Sequence, residues 1–236
     1  RSRPEFYHAM LEDLRWLGTR WQEGPDVGGL GDVGAYGPYA QSERGELYTA
    51  AWRLLVERGF VYPCRCSRKD LAAAVAAPHE EDLDDEPVYP GTCRPLHGAD
   101  FWTSESVGEV NWRFRVPDGE AIEFADANLG TQRFVAGVDF GDFVIMRRDG
   151  VPSYQLACVV DDAAMRITEV VRGADLLKST ARQILLNRAL AFADPAWFHC
   201  ELVVDAQGRR LAKRHDALSL RLLRERGIAA RDVVRV

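Results

Sequence analysis

A tyrosine, two adjacent aspartates and an arginine punctuate the stretch from Pro152-Ser153-Tyr154-Gln155, through Asp161-Asp162, to Val170-Val171-Arg172-Gly173-Ala174-Asp175. The planar guanidinium of an arginine makes two parallel hydrogen bonds to one carboxylate, a geometry a lysine cannot match. Arg172 is therefore the candidate grip on a substrate carboxylate, and Tyr154 offers an aromatic wall with a hydroxyl that can orient an amino or carboxylate group. The competing reading pairs Arg172 internally with Asp161 or Asp162 and leaves Tyr154 in the core. Further along runs a basic loop, Gly208-Arg209-Arg210-Leu211-Ala212-Lys213-Arg214. Displacement at an α-phosphate asks the protein mainly for positive charge where negative charge builds up. Arg210, Lys213 and Arg214 could supply it to ATP, although a basic loop is often plain surface. A carboxylate grip beside a phosphate-facing loop points to activation of an amino acid by ATP.

The cysteines carry a separate signal. Cys64-x-Cys66 places two thiolates within reach of one ion, and Cys93 follows in Tyr89-Pro90-Gly91-Thr92-Cys93. Three sulfurs and one more donor satisfy tetrahedral zinc. His79, Tyr89 and His97 compete for the fourth position, and histidine is the usual choice on chemical grounds. Such a site would be structural, because nothing beside it looks like a catalytic partner. The alternative is three reduced thiols without metal. Cys158 and Cys200 lie in apolar runs and read as small core residues, and no Ser/His/Asp triad or carboxylate pair stands out.

These groups need elements to position them. Ser2 and Pro4 start a helix whose Phe6, Met10, Leu14 and Leu17 share a face, and Gly18 ends it. The glycine-rich loop with Gly28, Gly29, Gly31, Gly34 and Gly37 carries no phosphate-binding fingerprint. Ser42 is placed to cap a second helix with an apolar stripe of Leu47, Ala51, Leu54 and Leu55, stopped by Gly59. Residues 62–95 form an insert around the cysteines, and Glu80-Glu81-Asp82-Leu83-Asp84-Asp85-Glu86 reads as a solvated acidic loop. Strand character marks Val110–Val116, Ala121–Phe124, Phe143–Arg147, Leu156–Val160, Ile167–Val171 and Cys200–Val204. A helix from about Asp175 to Phe192, its start within reach of Asp175 as a cap, separates the last two. Strand, helix, strand predicts an α/β fold with a buried parallel sheet. Such sheets bind ligands beyond the carboxyl ends of their strands, where Arg172 falls.

Bulk properties set limits. A chain of 236 residues, 47% hydrophobic, can bury a sizeable core, and no apolar run is long enough to cross a membrane. Five cysteines, an odd number, fit a cytoplasmic protein with a metal site better than a disulfide framework. The net charge of -6 is unevenly spread: residues 201–236 carry nine basic against five acidic side chains, net +4, and residues 1–200 carry 21 against 31, net -10. A basic carboxyl-terminal end can face a phosphate backbone, or be an ordinary arginine-rich helix. The chain opens at Arg1 without methionine and reads as a protein lacking its natural beginning.

Read in order, Ser153-Tyr154-Gln155-Leu156-Ala157, Val160-Asp161-Asp162, Ile167-Thr168, Val171-Arg172-Gly173-Ala174-Asp175 and Ser179-Thr180-Ala181-Arg182-Gln183 resemble the catalytic cores of class I glutamyl-tRNA synthetases. Tyr62-Pro63-Cys64-Arg65-Cys66-Ser67-Arg68 and Tyr89-Pro90-Gly91-Thr92-Cys93-Arg94 resemble more specifically the glutamyl-Q tRNA(Asp) synthetases, which lack an anticodon-binding domain. The resemblance implies a Rossmann-type catalytic core that makes glutamyl-adenylate from L-glutamate and ATP, with Mg2+. It then implies transfer of glutamate to queuosine in the anticodon of tRNA(Asp); the chain is expected to act as a monomer.

On this resemblance Tyr154 and Arg172 fall at glutamate-binding positions, and Lys213 at the catalytic ATP-binding lysine of a KMSKS-type loop, Arg210-Leu211-Ala212-Lys213-Arg214. Cys64, Cys66, Tyr89 and Cys93 fall on the positions of a structural zinc, which selects the tyrosine as fourth ligand. It divides the chain into a first part of the catalytic domain (1–61), a zinc-binding insert (62–109), a second catalytic part (110–205), and the loop with the start of a helical stem-contact region (206–236). The family's HIGH-type segment has no counterpart, since His8, His79, His97, His199 and His215 all lie outside such a motif, and Ala212 replaces the loop's usual serine. The alternatives are the catalytic part of an ordinary glutamyl-tRNA synthetase, and a non-catalytic RNA-binding or regulatory paralogue.

Overall fold

The computed structural model describes residues 4–67, 70, 88–95, 110–204 and 220–233. In chain order its elements are α1 (Pro4–Trp16), α2 (Gly45–Glu57), β1 (Val61–Cys64), β2 (Asn111–Phe114), β3 (Ala121–Asp126), β4 (Gly130–Val135), β5 (Phe143–Met146), α3 (Tyr154–Ala164), β6 (Glu169–Gly173), α4 (Leu177–Leu190), β7 (Ala196–Cys200), α5 (Leu220–Glu225) and α6 (Ala230–Val233). They divide into two compact units, Arg44–Glu201 and Arg1–Glu43 with Leu202–Val236. Among the described residues no helix is long and apolar enough to cross a membrane.

The larger unit is α/β. β1, β2 and β5 form an antiparallel sheet. A second sheet has the order β4-β3-β7-β6, in which β6, β7 and β3 run parallel and β4 is antiparallel to β3. The parallel sheet expected from sequence is thus present, with one antiparallel strand at its margin that the sequence reading did not foresee. Burial alternates along β3, where Ile122, Phe124 and Asp126 face inward, and along β7, where Trp197 and His199 do. That is the two-residue period of a pleated strand with one face on a core. The core joins Trp52 of α2 to Trp112 of β2 edge to face at 5.1 Å, with Leu55, Phe114, Ile145, Leu156 and Leu186 around them. α4 is buried nearly all round and carries Ser179, Thr180, Gln183 and Asn187 inside, where Gln155 Nε2 donates to Ser179 Oγ at 2.9 Å.

Several local expectations change. Leu156–Val160 is part of α3, not a strand: Ser153 caps that helix by accepting from Leu156 N, and Leu156, Ala157, Val159 and Val160 are buried at helical spacing. A short apolar run does not distinguish the two periods by itself. The last strand is Ala196–Cys200, while Leu202, Val203 and Val204 are exposed. α2 begins after Arg44 without a side-chain cap, so Ser42 does not serve, and α4 begins after Leu176 instead of Asp175. On α2 the buried stripe is Tyr48, Ala51, Trp52 and Leu55, with Leu47 exposed. Cys200 is exposed and Cys158 half-buried, so neither is the fully enclosed core residue expected.

In the smaller unit Arg224 of α5 bridges Glu12 at 3.1 Å and Asp13 at 3.3 Å on α1. Phe6 and Met10 are 59% and 49% exposed, and Ala9 and Leu11 are the buried residues of α1, so its apolar face is not the predicted stripe. Ser2 lies outside the described residues.

Candidate functional site

Parallel pairing sets Arg172 of β6 directly beside His199 of β7, one residue before the end of each strand. The cap at Ser153 starts α3 so that Tyr154, its first residue, reaches the same place. Arg172 Nη1 donates to Tyr154 Oη at 3.4 Å, Nη2 to Thr180 Oγ1 of α4 at 2.7 Å, and Nε to His199 Nε2 at 3.2 Å. The Trp197 ring lies 5.1 Å from the guanidinium carbon. A guanidinium has five N–H donors. The described residues engage one on each nitrogen, so each terminal nitrogen keeps one N–H, the pair that a carboxylate accepts together.

The competing pairing is not formed. Asp161 accepts from Arg44 Nε at 2.6 Å and from Tyr48 Oη at 3.0 Å, and Arg172 bonds no carboxylate among the described residues. Tyr154 is 49% exposed, so it stands beside Arg172 at the surface and not in the core. Burial pushes the Cys158 thiol, one turn further along α3, up to about 11. Burial also raises the Asp162 carboxyl to about 6, against the opposing pull of Arg172.

Beneath the arginine lies a polar set that the sequence reading did not identify. His199 Nδ1 stands 2.6 Å from Asp126 Oδ2, and both side chains are fully buried. The backbone N–H groups of Asn128, Leu129 and His199 also donate to that carboxylate. Burial opposes its ionisation, but the His199 ring and these N–H groups hold it down at about 2. Asp126 and His199 are 73 residues apart, and only the β3–β7 pairing brings them together.

The cysteine cluster forms a second site at the end of β1. Cys64 and Cys66 Sγ each lie 3.5 Å from Tyr89 Oη, and Cys66 and Cys93 Sγ lie 3.5 Å apart. All three sulfurs are within 4.8 Å of one another. Tetrahedral zinc, with sulfur at about 2.3 Å and oxygen at about 2.0–2.2 Å, sets its donors roughly 3.6–3.8 Å apart. The three 3.5 Å separations match that spacing, and the remaining sulfur pairs stay within 4.8 Å, so the side chains present fit such an ion. Gly141 allows the approach of Tyr89, since a Cβ there would stand 2.9 Å from the Tyr89 nitrogen. Arg113, almost fully buried, donates from Nε to Cys64 Sγ at 3.3 Å and lies 3.9 Å over the Tyr89 ring. Burial lifts the Cys66 thiol to about 11 and opposes ionisation of Cys93, but the Arg65 backbone, Tyr89 and the neighbouring thiols bring Cys93 to about 7. Among the sequence candidates, His79, His97 and Lys213 with its loop lie outside the described residues.

With both sites in view, the similarities to known proteins take on meaning. The catalytic-domain family of the tRNA synthetases class I (E and Q) matches residues 1–235. A glutamyl-Q tRNA(Asp) synthetase of Symbiobacterium thermophilum is 50% identical over 236 residues, covering 99% of this chain and 70% of that protein. Another, of Nitratidesulfovibrio vulgaris, is 46% identical over 234 residues with the same coverage of each chain. The glutamate-tRNA synthetase structure from Elizabethkingia anophelis superposes with a TM-score of 0.72 at 27% identity, over 91% of this chain and 43% of its own. This chain belongs to the catalytic-domain family of the class I glutamyl and glutaminyl tRNA synthetases, ligases of the aminoacyl-tRNA synthetase type.

Proposed function

We propose that this protein activates L-glutamate with ATP and passes the glutamate to queuosine in the anticodon of tRNA(Asp). The observation that carries the reading is the Arg172 guanidinium at a strand end, bonded at all three nitrogens, with one N–H on each terminal nitrogen not engaged by the described residues. Arg172 binds a carboxylate of glutamate there, and the Tyr154 hydroxyl lies beside it to orient the amino acid. A glutamate carboxylate oxygen attacks the α-phosphorus of ATP, the bond to the β-phosphate oxygen breaks, and pyrophosphate leaves. Lys213, with Mg2+ carried on the nucleotide, supplies positive charge as that charge moves.

Cys64, Cys66, Tyr89 and Cys93 hold a structural zinc in this reading. The ion, when bound, cross-links the end of β1 to the segment around Tyr89. Residues 62–109 then act as a zinc-binding insert in a catalytic domain made of 1–61 and 110–205, and residues 206–236 carry the lysine loop and the approach to the tRNA. The protein acts as a monomer.

The complete protein should exchange pyrophosphate into ATP with glutamate in the absence of tRNA, and then glutamylate tRNA(Asp) carrying queuosine but not the unmodified transcript. A strict need for tRNA(Glu) in the exchange would instead mark an ordinary glutamyl-tRNA synthetase. Lys213→Ala should slow the exchange by at least about 10-fold while glutamate binding stays within about 2-fold, as expected for charge acting on the moving phosphates. Unchanged exchange kinetics would remove the lysine from the mechanism.

A further inference from the structure

An arginine side chain is donor-only and remains charged at any ordinary pH. Its Nε–H points at His199 Nε2 from 3.2 Å, so that ring nitrogen must offer a lone pair. The ring proton then sits on Nδ1, where Asp126 Oδ2 accepts it at 2.6 Å. Asp126 cannot easily turn away, because the N–H groups of Leu129 at 2.9 Å and of Asn128 and His199 at 3.1 Å hold its two oxygens. Thr180 Oγ1 completes the cradle by accepting from Arg172 Nη2, with Leu176 O and His199 Nε2 as the outlets for its own proton.

The two groups that hold the arginine, His199 and Thr180, take Nε and Nη2, which share one edge of the guanidinium plane. Rotating the guanidinium would break both bonds at once and leave buried acceptors unpaired. A strand interior that served packing alone would carry apolar side chains here, as Ile122 and Trp197 do on the same strands. Instead the fold buries an aspartate, a histidine and a threonine in series, and the series ends on Arg172. Fully satisfied buried networks of this kind fix one arrangement of their members.

We propose that Asp126 and His199 are positioning residues for Arg172: the carboxylate fixes the Nδ1–H form of the imidazole, whose Nε2 lone pair then holds the guanidinium with its free N–H pair toward glutamate. The proposal rests on the reading that Arg172 binds the glutamate carboxylate. Asp126 and His199 are both buried behind the arginine, so their effect on glutamate passes through it. Losing Asp126 as an obligate acceptor frees the ring to take the Nε2–H form, which sets one donor against another at Arg172.

The test combines spectroscopy with kinetics on the complete protein. Nitrogen-15 chemical shifts of the His199 ring should report a neutral Nδ1–H form in the wild type near pH 7, and a shift toward Nε2–H in Asp126→Asn. An Nε2–H or doubly protonated ring in the wild type would overturn the proposal whatever the variants do. In pyrophosphate exchange, Asp126→Asn and His199→Leu should raise the glutamate KM about 10- to 100-fold, the loss expected for a hydrogen bond to a charged group. The ATP KM should stay within about 2-fold, and His199→Gln, whose amide oxygen can accept from Arg172 Nε, should recover most of the loss. Equal loss in both KM values, or no rescue by glutamine, would reduce the set to a structural role and contradict the proposal. Arg172→Ala separates the two ideas. If it leaves the glutamate KM unchanged, the glutamate reading fails; if it raises that KM while Asp126→Asn does not, the positioning role fails alone.

Discussion

The arginine site and the cysteine cluster are both anchored at strand ends, yet their electrical sense is opposite. Around Arg172 a cation is held by two hydroxyl oxygens and an imidazole nitrogen, and the described residues leave one N–H on each terminal nitrogen. Around Cys64 the lone pairs of three sulfurs and a phenol oxygen converge, and a buried arginine faces them from one side. On the proposed reading an anion completes one arrangement and a cation the other. On that reading the first suits a substrate that must leave, and the second an ion that stays, because four donors close on it. The division of labour between chemistry and scaffold follows from that difference.

The sharpest way to break this contrast is at the arginine. Arg172→Ala should cost about 2–5 kcal/mol in glutamate recognition, roughly 30- to several-thousand-fold in kcat/KM, with zinc content unchanged. A change in zinc content would mean that the two sites are not independent. The converse variant, Arg113→Gln, should weaken zinc binding about 10- to 100-fold in a chelator competition while glutamate affinity holds, as expected for a group that braces a metal ligand. Metal-free folded protein in the wild type would remove the cation from the comparison altogether. Tyr154→Phe deletes one long hydrogen bond to Arg172, and the glutamate KM should rise only about 2- to 10-fold.

The smallest effect concerns Asp162. Its carboxyl is raised to about 6, chiefly by burial, from an ordinary value of 3.8. The folded protein therefore keeps a proton that the unfolded chain releases, and stability falls as pH rises from about 4 to about 6. Asp162→Asn should leave stability unchanged below that window and raise it by about 1 kcal/mol above it, after allowance for partial exposure. Denaturant titrations at pH 4 and pH 7.5 measure this, and an equal effect at both would show that the carboxyl is not the cause.

The two regions also differ in how far the sequence alone discloses them. Three cysteines at short spacing announce a metal site because ligands must be near one another and thiols have few other uses in such a pattern. Even so, zinc chemistry alone favours a histidine as fourth donor, and only the resemblance selects the tyrosine, now joined by the 3.5 Å contacts of Tyr89. Arg172 was legible as a residue at the end of a strand, because apolar Val170-Val171 runs directly into it. Its supports were not. Thr180 lies a helix away, and Asp126 meets His199 through strand pairing that no local pattern encodes. The run Leu156–Val160 was misread because short apolar runs serve strands and buried helices equally, and the Ser153 cap that decides the matter precedes the run. A histidine between apolar neighbours in β7 was the one available hint of the buried network.

Arg172 should receive a glutamate carboxylate on the two N–H groups that the described residues leave unengaged. The direct measurement is a crystal structure of the complete protein with L-glutamate and a non-hydrolysable ATP analogue. Both oxygens of one carboxylate should lie within about 3 Å of Arg172 Nη1 and Nη2, with the bonds to His199 and Thr180 intact. Glutamate bound elsewhere, or an Arg172 turned away from it, would overturn that assignment.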